Sequence, residues 1–294
     1  SLGEDLIRGL NEGLDLAEEK YRGVVIANEG DNFTLGANLF MVVMMINQQM
    51  WKELEESISA FQSTVMRLRY SSVPVVLAPH NMTLGGGCEM VLHADAVQAA
   101  AETYMGLVEV GVGLIPGGGG TKEMALRLSD SYVKNDAVIN DFQEVFMNIA
   151  TANVATSAEE AYGLRYLKRG KDHYSVNSKR RIGDAKQRAL LMADQGYQAM
   201  PERDDIRVLG RTGLGAVHAG TYSMYYGGWA SEHDMLIANK VGHVLCGGDL
   251  SYPQHVTEQY LLGLEREAFM SLCGEQKTLE RIQHTLQTGK PLRN

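Results

Sequence analysis

Long apolar runs and an N-terminal signal pattern are both missing from this 294-residue chain. No stretch approaches the roughly eighteen apolar residues that a membrane-spanning helix requires. The first five residues, Ser-Leu-Gly-Glu-Asp, include no basic segment that leads into an apolar one, so no secretory signal peptide is visible. We therefore expect a protein that has no membrane partner.

Cysteine is scarce. The three cysteines, Cys88, Cys246 and Cys273, are widely separated and form no Cys-x-x-Cys pair. An odd, dispersed set of this kind indicates neither a disulfide framework nor a zinc site. The pattern is typical of a reducing compartment, and we expect a cytoplasmic protein.

Positive charge is in deficit, because 27 lysines and arginines stand against 36 aspartates and glutamates, a net charge of −9. This balance argues against nucleic acid or anionic lipid as the main partner. Nine of the 27 basic residues nevertheless lie between residues 165 and 188. The favoured interpretation of this cluster is a solvated helix face, and the alternative is a local patch for a phosphorylated ligand.

The usual nucleotide and metal motifs are missing as well. The glycine-rich turn 116–120 is not followed by the Gly-Lys-Ser/Thr of a phosphate loop. Gly111 and Gly113 lack the third glycine of a dinucleotide fingerprint, and the glycines of 210–215 have the wrong spacing, so no NAD site is expected in this chain. The eight histidines form no His-x-x-x-His or carboxylate–His pair at ligand spacing, so we expect no metal. We also expect no covalently bound cofactor.

Helix and strand patterns alternate through the first part of the chain. Apolar periodicity and short apolar runs predict a helix over 6–17, a strand at 23–27, a helix over 41–69, strands at 73–78 and 96–101, and helices from Gly86 and near 124–128. Alternation of this kind indicates an α/β domain.

Strand signals fade after about residue 135. Helices are predicted over 142–150, 157–161, 184–192, 235–244, 257–272 and 277–287, whereas residues 198–231 show no clear period. We place a domain boundary near residue 198, which divides the chain into residues 1–198 and a mainly helical extension over residues 199–294.

Two glutamates beside glycine-rich turns are the most informative residues. Glu89 follows Gly85-Gly86-Gly87 at the start of a predicted helix, and Glu109 lies in the loop after the next predicted strand. A helix start without side chains lets backbone N–H groups approach an anion. Two carboxylates in unlike surroundings can divide acid and base work. The pattern indicates chemistry on an acyl group whose oxygen becomes negatively charged; the structural alternative is a tight turn and a glutamate that pairs with the helix dipole.

Three segments together carry a resemblance to a known family. Residues 33–38 (FTLGAN), 74–89 and 113–121 (GLIPGGGGT) resemble, in order and spacing, the crotonase or enoyl-CoA hydratase/isomerase family over about residues 1–195. The tail, with residues 264–269 (LEREAF) and 289–294 (GKPLRN), resembles the C-terminal end of bacterial multifunctional 3-hydroxyacyl-CoA dehydrogenases, which carry a crotonase module after their dehydrogenase part.

The resemblance implies an α/β fold built as a spiral of ββα units, CoA thioester substrates and association as homotrimers. The chain begins where the first helix of the family begins, so the preceding N-terminal strand pair is missing from this sequence. We expect a dehydrogenase region in the same full-length protein.

The resemblance also places the site residues. It puts an oxyanion hole at the N–H groups of Ala37 and Gly86, and the hydratase carboxylates at Glu89 and Glu109. The substrate-binding positions that it implies are Leu35, Gly36, Gly85, Pro116 and Gly117. Asn38 stands where the family usually has an aspartate.

The expected function is hydration of 2-enoyl-CoA to 3-hydroxyacyl-CoA in fatty acid β-oxidation. Glu89 lies in the first turn of a helix, where the dipole favours its ionised form, so it suits the base. Glu109 has apolar neighbours and suits the acid, and the two roles can be exchanged because coupled carboxylates share protons. Two alternatives stay open: isomerisation of Δ3- to Δ2-enoyl-CoA, which needs one carboxylate, and a non-catalytic module that docks acyl-CoA for a dehydrogenase.

Four methionines, Met41, Met44, Met45 and Met50, lie close together in the helix predicted over 41–69. Methionine fills irregular gaps in cores, and core filling is the favoured interpretation. The alternative is the lining of a pliable apolar ligand pocket, in which case packing of this region sets the preferred acyl chain length.

Overall fold

The computed structural model describes residues 2–133 and 137–294. These residues form two compact units. Unit 1 consists of Ser1–Asn38, Ser59–Gly106 and Val154–Glu202, and unit 2 consists of Leu39–Ile58, Leu107–Asn153 and Arg203–Asn294. Each unit is thus assembled from three separate segments. The division of the sequence at residues 198/199 stays a prediction.

The helices, in chain order, are α1 (Glu4–Lys20), α2 (Leu39–Asn47), α3 (Trp51–Arg69), α4 (Gly86–Leu92), α5 (Gly120–Ser131), α6 (Val138–Ala150), α7 (Ala158–Gly163), α8 (Arg181–Asp194), α9 (Arg211–Tyr226), α10 (Glu232–Leu245), α11 (Glu258–Cys273) and α12 (Gln276–Thr288). The strands are β1 (Val24–Ile26), β2 (Val75–Leu77), β3 (Asn81–Leu84), β4 (Ala96–Ala100), β5 (Thr103–Gly106), β6 (His173–Ser175), β7 (Ile206–Val208) and β8 (Gln254–Val256). Two 3₁₀ helices span Glu109–Val112 and Ser178–Arg180. No helix among the described residues is long and apolar enough to cross a membrane.

Unit 1 contains a parallel sheet in the order β1-β2-β4-β6 and a second parallel pair, β3 with β5. The strands β2 and β3 follow each other in sequence but enter different sheets, and β4 and β5 do the same. Two successive strands that enter different sheets are the ββ part of the predicted ββα units. Helix α8 packs on the four-stranded sheet, where Ala185 and Ala189 join Val76, Ala78 and Ala96 in one buried cluster. Small side chains on both surfaces allow this close approach.

Unit 2 is mainly helical. Its one described strand pair is antiparallel, with Ile206 of β7 opposite Val256 of β8. Helix α5 places charged side chains in the core of unit 2. The Nζ atom of the fully buried Lys122 lies 2.8 Å from Glu123 Oε1 and 2.7 Å from Glu258 Oε2. The other carboxylate oxygen of Glu258 accepts a hydrogen bond from the Arg203 N–H at 3.0 Å. Pairing of this kind offsets the cost of burying charge.

A second buried carboxylate, that of Glu265 in α11, caps the N-terminus of α5. One of its oxygens accepts from the Gly119 N–H, and the other accepts from the Lys122 N–H at 3.0 Å. Gly119 is the N-cap residue of α5 and Lys122 lies in its first turn, so neither N–H group has an intrahelical acceptor. Glu265 therefore supplies from within the chain the anion that this helix start favours.

Two predictions of secondary structure are wrong. The helix predicted over 41–69 is two helices, α2 and α3, because Gln49 adopts a left-handed conformation (φ 56°) and Met50 N–H bonds Met45 O at 2.9 Å, which ends α2. Strands do continue after residue 135, as β6, β7 and β8, but each has three residues and shows no period. Helix α9 also went unpredicted; it contains Gly213, Gly215 and Gly220, which lower intrinsic helix propensity.

We predict that Glu265→Ala lowers the free energy of unfolding by roughly 2–4 kcal/mol, because two buried N–H groups lose their acceptor and each typically costs about 1–3 kcal/mol. Chemical denaturation of the chain measures this change. The matched control is Glu267→Ala on the same helix, whose exposed side chain predicts a change within about 0.5 kcal/mol. Equal effects of the two substitutions would contradict the account of the α5 start.

Candidate active site

The segment 34–37 lies directly against the turn between β3 and α4 in unit 1. Thr34 forms a parallel bridge with Thr83: its N–H donates to Met82 O at 3.0 Å, and its carbonyl accepts from Leu84 N–H at 3.0 Å. Ala37 forms a second parallel bridge with Leu2. The structure therefore brings the predicted residues Leu35, Gly36 and Ala37 beside Gly85 and Gly86.

The direction of each predicted oxyanion donor is fixed by the carbonyl of the same peptide. The Gly36 carbonyl accepts from Leu2 N–H at 2.9 Å, and the Gly85 carbonyl accepts from Glu89 N–H at 3.0 Å. The described chain has no cis peptide bond, and in a trans peptide the N–H points opposite to the carbonyl. The Ala37 N–H therefore points away from Leu2. The Gly86 N–H points away from the body of α4. Within residues 2–133 and 137–294 neither N–H donates to a protein acceptor. Both donors therefore have a direction that is set by the fold, and neither is used by another group of the described chain.

The close approach depends on missing side chains. Gly36 has φ 96°, and a Cβ on it would lie 3.2 Å from Leu84 O and 3.5 Å from Gly86 N. A Cβ on Gly87 would lie 2.1 Å from Cγ2 of Thr34. The first glycine is therefore required by both conformation and space, and the second by space.

Thr34 is a site residue that the sequence reading missed. Its hydroxyl accepts from Gly36 N–H at 3.2 Å, which fixes the bend just before Ala37. A threonine two residues before a glycine is the local signal for such a turn.

Glu89 lies in the first turn of α4 and is buried, with 3% of its surface exposed. Its carbonyl accepts a 2.7 Å hydrogen bond from His93 Nδ1, which secures the last turn of this short helix. Glu89 thus shares a helix with the Gly86 donor, and its carboxyl is shielded from bulk water. The start of α4 favours a negative charge at this position.

The remaining predicted residues, Glu109, Pro116 and Gly117, belong to unit 2. Glu109 is half-buried at the start of the 3₁₀ helix Glu109–Val112, and its Oε2 is shielded from solvent. Convergence of Glu109 with Glu89 and the two N–H donors stays a prediction.

Contacts within unit 2 explain why the turn around Pro116 and Gly117 is rich in glycine. A Cβ on Gly117 would lie 2.6 Å from the Phe269 ring, so the glycine is required for packing against α11. Two residues later, the Gly119 N–H is used by Glu265. Contact of Pro116 and Gly117 with a substrate stays a prediction.

Unit 2 also contains a cavity of about 490 Å³. Val110 and Gly111, which directly follow Glu109, form part of its wall. Most of the remaining wall is apolar and includes Met147, Met224 and Met235, whereas none of the described residues from 41 to 50 lines it. The volume falls in the range of small-molecule sites.

The basic cluster of residues 165–188 is largely engaged by the protein itself. Arg169 pairs with Glu159, and Arg180 lies 3.3 Å from Asp184. Lys171 donates to Ala94 O at 2.8 Å. A phosphate-binding role for this segment stays a prediction.

In the part of the chain that the structure describes, no group of three His, Cys, Asp or Glu residues is arranged to hold a metal ion.

Comparison with known proteins identifies the family of the segment that contains the predicted site residues. The family model for enoyl-CoA hydratase/isomerase matches residues 1–139, which include both N–H donors and both glutamates. Residues 1–139 belong to the crotonase family.

Solved structures show the same fold over nearly the whole chain. An enoyl-CoA hydratase from Bacillus halodurans superposes with a TM-score of 0.62 at 15% identity, covering 95% of this chain and 89% of that one. A carnitinyl-CoA dehydratase from Mycobacterium thermoresistibile gives 0.67 at 14% identity, covering 99% and 84%. The predicted crotonase fold is confirmed.

The tail is also shared with a relative. A Bacillus subtilis protein named as a probable 3-hydroxyacyl-CoA dehydrogenase is 45% identical over all of this chain and 37% of its own length. The chain spans between 34% and 37% of the length of three curated relatives that match most of it. The resemblance of the C-terminal segments to such dehydrogenases is confirmed.

We predict that Gly36→Ala lowers the free energy of unfolding by roughly 1–3 kcal/mol, since a side chain at φ 96° is strained. Gly183→Ala in α8 is the control: its Cβ meets nothing within 4 Å, and alanine is favoured in a helix by up to about 1 kcal/mol. Denaturant titration of both variants checks the opposite signs. A neutral Gly36→Ala would contradict the requirement for glycine beside Gly86.

Proposed function

We propose that this chain adds water to 2-enoyl-CoA and produces 3-hydroxyacyl-CoA. The observation that carries the proposal is the pair of oriented N–H groups, Ala37 and Gly86, on adjacent segments of unit 1. Membership of the crotonase family and the buried Glu89 beside one donor support it.

The proposed reaction begins with attack of water at Cβ of the enoyl group. Electron density moves through the double bond onto the thioester oxygen, which becomes an enolate oxygen. The N–H groups of Ala37 and Gly86 stabilise this charge, and one such donor typically contributes about 3–4 kcal/mol to the transition state. Their directions are set by the fold before the substrate arrives, so little reorganisation is needed.

Two carboxylates handle the protons in this proposal. Glu89 takes a proton from the attacking water, a role that suits an anion at the start of α4. Glu109 starts this step as a neutral carboxylic acid and delivers its proton to Cα, and the enolate returns to a thioester. The proton that Glu89 has taken then passes to Glu109, directly or through water, and restores the starting state. The roles can be exchanged, because the two groups share protons if they are strongly coupled.

The acyl chain is proposed to use the cavity of unit 2, because Val110 and Gly111 in its wall follow Glu109 directly. A wall of methionine and aromatic side chains suits a flexible apolar chain.

We further propose that the chain is the hydratase part of a longer cytoplasmic protein of fatty acid β-oxidation. A dehydrogenase that oxidises 3-hydroxyacyl-CoA consumes the product of hydration, which fits the shared tail. Association as trimers is part of the same proposal.

We predict that Glu89→Gln and Glu109→Gln each lower kcat for hydration by roughly 10²- to 10⁴-fold, the usual contribution of a positioned acid or base, and leave acyl-CoA binding intact. Loss of the conjugated enoyl thioester absorbance measures turnover, and calorimetry with a saturated acyl-CoA measures binding. The control is Glu102→Gln, an exposed glutamate of unit 1 that is expected to have no effect.

The outcome of this experiment separates the alternatives. Near-normal turnover in either variant refutes that residue's role. Δ3- to Δ2-enoyl-CoA isomerisation that requires Glu89 alone selects the isomerase, a second candidate favoured by the placement of Glu89 in the same unit as both donors. Acyl-CoA binding without turnover in the wild-type longer protein selects a docking module.

We predict that Ala238→Phe, which fills part of the cavity, lowers kcat/KM for long-chain enoyl-CoA by roughly 10- to 100-fold relative to a four-carbon substrate. Steady-state kinetics over a series of chain lengths measures the ratio. Ala219→Phe, at an exposed position of α9, is the matched control. An unchanged chain-length profile would place the acyl chain elsewhere.

A further inference from the structure

The backbone around Glu109 is a short element that needs support from outside. The 3₁₀ helix Glu109–Val112 ends at Gly113, which is left-handed (φ 87°), and the Leu114 N–H returns to Glu109 O at 3.1 Å. One 3₁₀ turn has few hydrogen bonds of its own. Its position in unit 2 therefore depends on what holds Gly113.

Gly113 lies in a close-fitting recess on α12. A Cβ at this position would be 3.0 Å from Cα of Thr278 and 3.2 Å from Cδ of Arg281. The Gly113 carbonyl accepts a 2.8 Å hydrogen bond from Oγ1 of Thr278. The hydroxyl of this fully buried threonine anchors the end of the 3₁₀ helix.

His233 of α10 completes a relay of hydrogen bonds. Its Nε2 lies 2.9 Å from Thr278 Oγ1. The Gly113 carbonyl can only accept, so the single hydroxyl hydrogen of Thr278 points to Gly113, and Thr278 must accept from His233. The imidazole therefore carries its hydrogen on Nε2. Burial, together with the charge of Arg281, lowers the pKa of His233 and favours this neutral form.

The position of His233, the residue of the relay farthest from Gly113, is also fixed. Ser231 and Asp234 form a capping box at the start of α10, which holds His233 between them. Arg281 of α12 places Nη1 2.7 Å from Asp234 Oδ1 and Nη2 3.3 Å from the Ser231 hydroxyl. The starts of α10 and α12 are thus joined around Gly113, four residues after Glu109.

We propose that Thr278 and His233 are positioning residues for Glu109. They hold the Gly113 carbonyl, and through it the 3₁₀ helix that presents the Glu109 carboxyl. This proposal rests on the proposed function, because it assigns the relay to the proton transfer of Glu109.

The test is a comparison of Thr278→Val with Thr278→Ser in the enoyl-CoA hydration assay. The valine has the shape of threonine but neither donates to Gly113 nor accepts from His233, and we expect kcat to fall roughly 10- to 100-fold while KM changes less than about twofold, since misplacement of a reacting group acts on the chemical step. The serine keeps the hydroxyl and is expected to restore most of kcat. Thr285→Val, on the same helix with a hydroxyl 3.3 Å from Lys290 O, is the control.

Equal losses in the valine and serine variants, or a wild-type kcat in the valine variant, would overturn the proposal. Where Thr278→Val does not yield folded protein, His233→Asn, which removes the Nε2 donor, is compared with His233→Gln, whose longer amide can replace it. A loss of kcat in the asparagine variant that glutamine restores supports the relay, and equal kcat in both overturns it. Glu109→Gln is measured alongside, because normal turnover in that variant refutes the catalytic role of Glu109 rather than the relay.

Discussion

The structure of the candidate site depends on one steric constraint: residues 34–37 and 84–87 approach more closely than side chains permit. The bridges Thr34–Thr83 and Leu2–Ala37 set the register of these segments. Gly36 and Gly87 then remove the atoms that would force them apart. The Leu2–Ala37 bridge also sets the direction of the Ala37 N–H, and the hydrogen bond from Glu89 N–H to Gly85 O sets that of the Gly86 N–H. Donors prepared in this way stabilise a developing charge without being reorganised during the reaction.

The glycine-rich turns before α4 (residues 85–87) and before α5 (residues 116–120) have similar sequences, but their N–H groups have different partners. Each leads into a helix, α4 or α5, and each start presents N–H groups that favour an anion. At α5 the carboxylate of Glu265 occupies that position from inside unit 2. At α4 the Gly86 N–H has no acceptor among the described residues. The difference is decided by a residue about 145 positions away in sequence, so the local pattern of glycines is insufficient to tell a binding turn from a structural one.

Much of unit 1 was predictable, because its elements have strong local signals. The strands β1, β2 and β4 come from continuous apolar runs, and α1 shows the apolar period of an amphipathic helix. The break at Gln49 was not predictable, since a glutamine in a left-handed conformation is chosen by tertiary packing rather than by its own preference. Helix α9 contains three glycines, and it is packing against α10 that stabilises it. Glu89 and Glu109 were identified by motif. Thr34, which fixes the bend before Ala37, has only a local turn signal, and Thr278, which holds the Gly113 carbonyl, acts through a hydrogen bond that leaves no pattern in the sequence.

The proposed relay also bears on how function is distributed along the chain. Glu109 lies within the segment that matches the family model, residues 1–139, but its 3₁₀ helix is anchored by Thr278 and His233, far beyond that segment. A carboxylate that must meet a substrate carbon needs a backbone held to within a fraction of an ångström, and an element of four residues cannot supply this rigidity by itself. If Glu109 has the proposed role, the helical tail is part of the catalytic module rather than an extension added to it. The similarity to the Bacillus subtilis relative, which runs through the tail as well as the family segment, is what such a dependence leads us to expect.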